Sequence, residues 1–142
     1  MSSKSVGLRG WPQGDAMPSI LVIEPDASFR EILAETLAAN GYDVACAING
    51  SACFESDACR DCCFVILDVF LPRRADYDTI QALKTTWPGV RIIATSESRA
   101  SCRAEVSLNL ASFLGADAGL KKPLAVEKVL QTVKSLGSPA AA

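Results

Sequence analysis

Four residues with chemically useful side chains stand where the strand-like runs of this chain stop. Asp68 closes the run Phe64-Val65-Ile66-Leu67, and Glu24 follows Ser19-Ile20-Leu21-Val22-Ile23. Ser96 follows Ile92-Ile93-Ala94-Thr95, and Lys122 precedes Pro123 late in the chain. A carboxylate at the C-terminal tip of a buried strand serves packing poorly. It is well placed for chemistry at the edge of a parallel sheet, where ligands sit beyond the carboxyl ends of the strands. Plainer readings stand beside this one: Asp68 as a strand-end group capping a loop, and Glu24 as a cap for the next helix. Thr95 competes with Ser96 for the inward hydroxyl; Ser96 is preferred because Thr95 already completes the strand.

The elements that must position these residues follow from hydrophobic periodicity. Strands are expected at 19–23, 43–48, 64–69, 91–95 and 117–121. The clearest helix has Asp26 or Ser28 as cap, Phe29, Ile32, Leu33 and Leu37 on one face, and Asn40-Gly41 as its stop. Further helices are expected near 50–57, 76–87, 100–114 and 124–136. Strands alternating with helices imply a parallel sheet covered on both faces. Residues 1–18 read as a flexible arm, 19–136 as one domain and 137–142 as a tail.

Composition narrows the function. The chain has 142 residues, 49% hydrophobic and 21% charged, which suits one domain with a core of its own. Its net charge of −2 and the lack of a basic stripe argue against nucleic acid or an anionic membrane as direct partners. No run resembles a signal peptide or a membrane span, so a cytoplasmic location is expected. The six cysteines are expected to be reduced, with Cys46 and Cys63 serving as small hydrophobes. The Cys59-Cys62-Cys63 cluster could instead bind zinc or act as a redox pair; with no histidine in the chain, a zinc site would need thiolates.

Taken in order, these pieces resemble the receiver domain of bacterial two-component response regulators, of the chemotaxis-regulator type. The marks are Ile20-Leu21-Val22-Ile23-Glu24-Pro25-Asp26 with Arg30, Asn40-Gly41-Tyr42-Asp43-Val44, and Val65-Ile66-Leu67-Asp68 with Leu71-Pro72. Ile92-Ile93-Ala94-Thr95-Ser96 and Gly115-Ala116-Asp117 with Lys122-Pro123 complete them. The resemblance implies an α/β, flavodoxin-like, doubly wound five-stranded parallel sheet in the order 2-1-3-4-5. It implies a phosphoacceptor module rather than an enzyme. Asp68 would take a phosphoryl group from a sensor histidine kinase or a histidine phosphotransfer protein. Lys122 and Ser96 would contact the phosphoryl oxygens, and the Lys122–Pro123 bond would be cis. A Mg²⁺ ion would be held by Glu24, Asp68 and the backbone carbonyl of Phe70.

Three departures from the family pattern qualify this. Pro25 stands where a second acidic residue normally ligates the metal, so Mg²⁺ binding and phosphorylation are expected to be weak. Gly119 stands where many receivers carry an aromatic switch residue. Arg73-Arg74-Ala75-Asp76 lacks the customary glycine, and the polar loop after Ser96 is slightly long. The expected function is a stand-alone receiver that signals to a downstream protein through its fourth helix, fifth strand and fifth helix, a surface that could also support a homodimer. The alternative is a pseudo-receiver that serves as a docking module.

Overall fold

The computed structural model describes residues 18–56 and 62–137. The expected arm and tail, apart from Pro18 and Gly137, and Cys59 of the cysteine cluster lie outside the described residues. Strands β1 (Ser19–Ile23), β2 (Asp43–Ala47), β3 (Phe64–Asp68), β4 (Arg91–Glu97) and β5 (Ala118–Lys122) form one parallel sheet. Its order is β2-β1-β3-β4-β5, as the resemblance implied. Between the strands run α1 (Ala27–Ala39), α2 (Gly50–Phe54), α3 (Arg74–Thr86) and α4 (Ala104–Phe113), with α5 (Val126–Leu136) last.

β1 and β3 are continuous apolar runs because both of their faces are buried. Alternate side chains serve two cores. Leu21, Ile23, Val65 and Leu67 pack with Tyr77, Ile80, Leu83 and Ala111 under α3 and α4. Ile20, Val22, Phe64 and Ile66 pack with Leu33, Leu37, Val129 and Val133 under α1 and α5. A buried side chain of the Leu or Ile kind contributes roughly 1.5–3 kcal/mol relative to exposure, so this alternation fixes the strand register. Among the described residues, no helix is long and apolar enough to cross a membrane.

Local chemistry sets the ends of the elements. Of the two possible caps for α1, Asp26 acts: its carboxylate accepts the Phe29 N–H at 3.1 Å. At the other end, Gly41 takes the left-handed conformation, φ 96°, that reverses the chain into β2. Asp26→Ala is expected to lower stability by about 1 kcal/mol, seen as a lower urea midpoint; an unchanged midpoint would show that the cap contributes nothing.

Some boundaries differ from expectation. α4 starts at Ala104, not near 100, because Arg99 and Cys102 exchange backbone hydrogen bonds of 2.9 and 3.1 Å and hold a small turn ahead of it. β4 runs on through Ser96 and Glu97, which pair with Lys121 and Lys122 of β5. β5 begins one residue late because Asp117 is occupied at the strand entrance. Its backbone N–H donates to the Ile92 carbonyl at 2.7 Å. Its Oδ2 accepts the Ile92 N–H at 2.8 Å and the Lys84 ammonium at 2.9 Å.

Two expectations about the cysteines are corrected. Cys46 is exposed, because β2 is an edge strand of the sheet. Cys53 is disulfide-bonded rather than reduced, whereas Cys46 and Cys102 are free. Cys63 is buried as expected and lies just ahead of β3.

Candidate functional site

All four candidate residues reach the carboxyl rim of the sheet, where the chain leaves β1 toward one face and β3 toward the other. Glu24 follows β1, Asp68 ends β3, Ser96 lies near the end of β4, and Lys122 ends β5. Parallel pairing places these ends together despite their separation in sequence.

Lys122 is the hub. Its ammonium lies 2.8 Å from Asp68 Oδ1 and 2.8 Å from Glu24 Oε1. The Phe29 ring covers it, with the nitrogen 4.9 Å from the ring centroid. The Lys122–Pro123 bond is cis, as expected. Burial works to lower the Lys122 pKa, but the hydrogen bonds to Asp68 and Glu24 prevail and raise it above its ordinary 10.5. Glu24 is 3% exposed, and its burial raises its pKa above 4.5 against the lowering effect of Lys122. Its second oxygen, Oε2, accepts the Asp26 N–H at 3.0 Å. Arg30 clasps the same loop from α1, donating to the Glu24 carbonyl at 2.7 Å.

Sequence reasoning missed Arg73. Its Nη2 lies 2.6 Å from Asp68 Oδ2, so both carboxylate oxygens of Asp68 face a cation. Its Nε bonds Asp76 Oδ2 at 2.8 Å, and that oxygen also accepts the Phe70 N–H at 2.9 Å. Burial raises the Asp76 pKa despite this bond. A weak signal was available: Arg73 and Asp76 are three residues apart at a helix start, a spacing that lets side chains meet. Nothing in the sequence tied the pair to Asp68.

Ser96 is fully buried, and its hydroxyl donates to the Val69 carbonyl at 2.6 Å. Its rival Thr95 lies in register with Asp68, and its buried Oγ1 has no hydrogen-bond partner among the described residues. The neighbouring Lys121 is half-exposed and meets Glu105 of α4 at 2.6 Å. Leu108 of α4 lies over Gly119, with Cδ2 3.4 Å from where a Cβ would stand.

The residues proposed to hold a metal do not fit one in this arrangement. Glu24 is engaged by Lys122 and the Asp26 N–H, and Asp68 by Lys122 and Arg73. The Phe70 carbonyl accepts the Arg73 backbone N–H at 2.7 Å, and Pro25 offers no side-chain oxygen. Among the described residues, no cluster of three or more His, Cys, Asp or Glu could hold a metal ion. Beside Asp68 a cavity of about 630 Å³ opens, lined in part by Pro25, Arg30, Asn49, Arg73 and Asp76.

Comparison with known proteins gives a consistent picture. The response regulator receiver domain family matches residues 20–134. The response regulator MprA of Mycolicibacterium vanbaalenii is 32% identical over 118 residues, covering 82% of this chain and 49% of that protein. The chain thus spans about half the length of the curated relatives it matches. A Burkholderia pseudomallei response regulator, solved with a phosphorylated aspartic acid, a calcium ion and citrate, superposes with a TM-score of 0.67 at 27% identity, over 79% of this chain and 64% of that one. The response regulator TrrA of Thermotoga maritima, solved with Mg²⁺ and BeF, gives 0.68 at 24% identity, over 84% and 99%.

Proposed function

This chain belongs to the response regulator receiver domain family, and we propose that it accepts a phosphoryl group on Asp68 from the phosphohistidine of a sensor kinase or histidine phosphotransfer protein. Receivers are phosphoacceptor signalling modules rather than enzymes. The contact between the Lys122 ammonium and Asp68 Oδ1, at 2.8 Å, carries the reading. In the transfer an Asp68 oxygen bonds to phosphorus as the phosphorus–nitrogen bond breaks. The imidazole leaves with the electron pair, and Lys122 offsets charge on the phosphoryl oxygens. Ser96 would leave the Val69 carbonyl to donate to one of those oxygens.

Weak Mg²⁺ binding follows from the same geometry, since an ion using Glu24, Asp68 and the Phe70 carbonyl would have to displace N–H donors from each. The face formed by α4, β5 and α5 is the proposed contact surface for a downstream protein or a second copy. Leu108 over Gly119 means that any readout runs through the packing of α4 rather than through an aromatic rotor.

The test is intact mass after incubation with a small phosphodonor such as acetyl phosphate. One phosphoryl adduct is expected, and Asp68→Asn should abolish it. Pro25 and the Arg73–Asp68 ion pair favour a second reading, a docking module that no longer switches. Failure of every donor, with or without Mg²⁺, would replace the first reading with that one.

A further inference from the structure

Arg73 is braced more firmly than a surface arginine requires. Its side chain is 37% exposed, yet it is held at several points. Nη2 bonds Asp68, Nε bonds Asp76, and its backbone N–H bonds the Phe70 carbonyl at 2.7 Å. The guanidinium carbon also lies 5.6 Å from the centroid of the Phe70 ring. Asp76 is fixed in turn by the Phe70 N–H, so residues 70–76 close into a clamp that aims one cation at Asp68.

Of the three groups expected to hold a metal ion, Asp68 gives its Oδ2 to the Arg73 guanidinium, and the Phe70 carbonyl accepts the Arg73 backbone N–H. The third group, Glu24, is held by Lys122. We propose that Arg73 is the resident cation of this site: its guanidinium stands where a divalent ion would need to sit and excludes that ion from Asp68. The proposal deepens the reading of Asp68 as phosphoacceptor and rests on it for its meaning.

The physical case is one of charge and geometry. A guanidinium is permanently charged and planar, and it presents its donors as a rigid fork that suits carboxylate oxygens. It supplies one positive charge where a divalent ion supplies two, but it needs no fourth ligand. Pro25 offers no carboxylate that would make a divalent ion competitive. A Mg²⁺ ion also demands near-octahedral oxygen ligation, which the Arg73 guanidinium interrupts at Asp68.

Calorimetric titration with MnCl₂ and with MgCl₂ tests this on the full chain, Arg73→Gln, Pro25→Asp and the double variant Pro25→Asp/Arg73→Gln. Circular dichroism checks that each is folded. The double variant is expected to bind the ion at least about tenfold more tightly than Pro25→Asp alone, and the unaltered chain is expected to bind most weakly. Equal affinities for Pro25→Asp and the double variant would overturn the proposal. So would a double variant that binds no ion, because the place held by Arg73 would then not be one that an ion seeks. The titration reads ion binding alone, so a failure here is distinguishable from a failure of Asp68 to accept a phosphoryl group.

Discussion

Replacing Lys122 with methionine is expected to cost the domain about 3–5 kcal/mol at neutral pH, because it leaves two buried carboxylates facing each other without their shared partner. The Glu24 and Asp68 side chains are only 4% and 8% exposed, so water screens neither well. The sign of the pH dependence follows from the two shifts. Glu24 has its folded pKa raised above 4.5, so ionising it penalises the folded state. That penalty is absent below 4.5 and sets in as pH rises through the folded value; loss of Lys122 makes it larger. Lys122 has its folded pKa raised above 10.5, so its contribution is complete below 10.5 and is lost as pH rises through the folded value. The unaltered protein and Lys122→Met should therefore differ most near neutrality and converge in acid and in strong base. Urea midpoints measured across pH check this. A gap that stays constant would mean that lost packing, not charge, is responsible. The same variant should take up no phosphoryl group.

Gly50→Ala should be the most damaging single-methyl addition near the site, at about 1–3 kcal/mol. Gly50 opens α2 and is buried against α3. An added Cβ would overlap Thr79 Oγ1 and stand 2.9 Å from its Cγ2 and 3.0 Å from its Cβ. Thr79 is β-branched and buried, and its hydroxyl is committed to the Ala75 carbonyl at 2.9 Å, so it has little freedom to turn aside. Thermal unfolding of Gly50→Ala with and without Thr79→Ala isolates the cause. Recovery in the double variant is expected. A loss unchanged by the second substitution would place the strain elsewhere.

The fold was legible because its signals were local and repeated. Ile20 to Ile23 and Phe64 to Leu67 announce doubly covered strands, and Asn40-Gly41 marks the stop of α1. The meeting of Asp68, Glu24 and Lys122 was legible one level up, because strand ends in a parallel sheet share a rim. Arg73 was not. A charged residue in a turn has no periodicity, and its reach to Asp68 depends on how residues 70–76 close on themselves. Cys46 was misread for a related reason: its neighbours suggest a core strand, but whether a strand lies at the edge is decided by topology. The late start of α4 depends on the Arg99–Cys102 turn, whose backbone bonds leave no compositional trace.

Asp117 gathers Lys84, Ile92 and, more distantly, Arg91 at the entrance to β4 and β5. That entrance lies at the end of the sheet farthest from Asp68. The strands are therefore held at that end by contacts that do not involve Asp68. Pro25 and Arg73, at the Asp68 end, take no part in that mooring. Drift in the chemistry of such a domain need not register as drift in its shape.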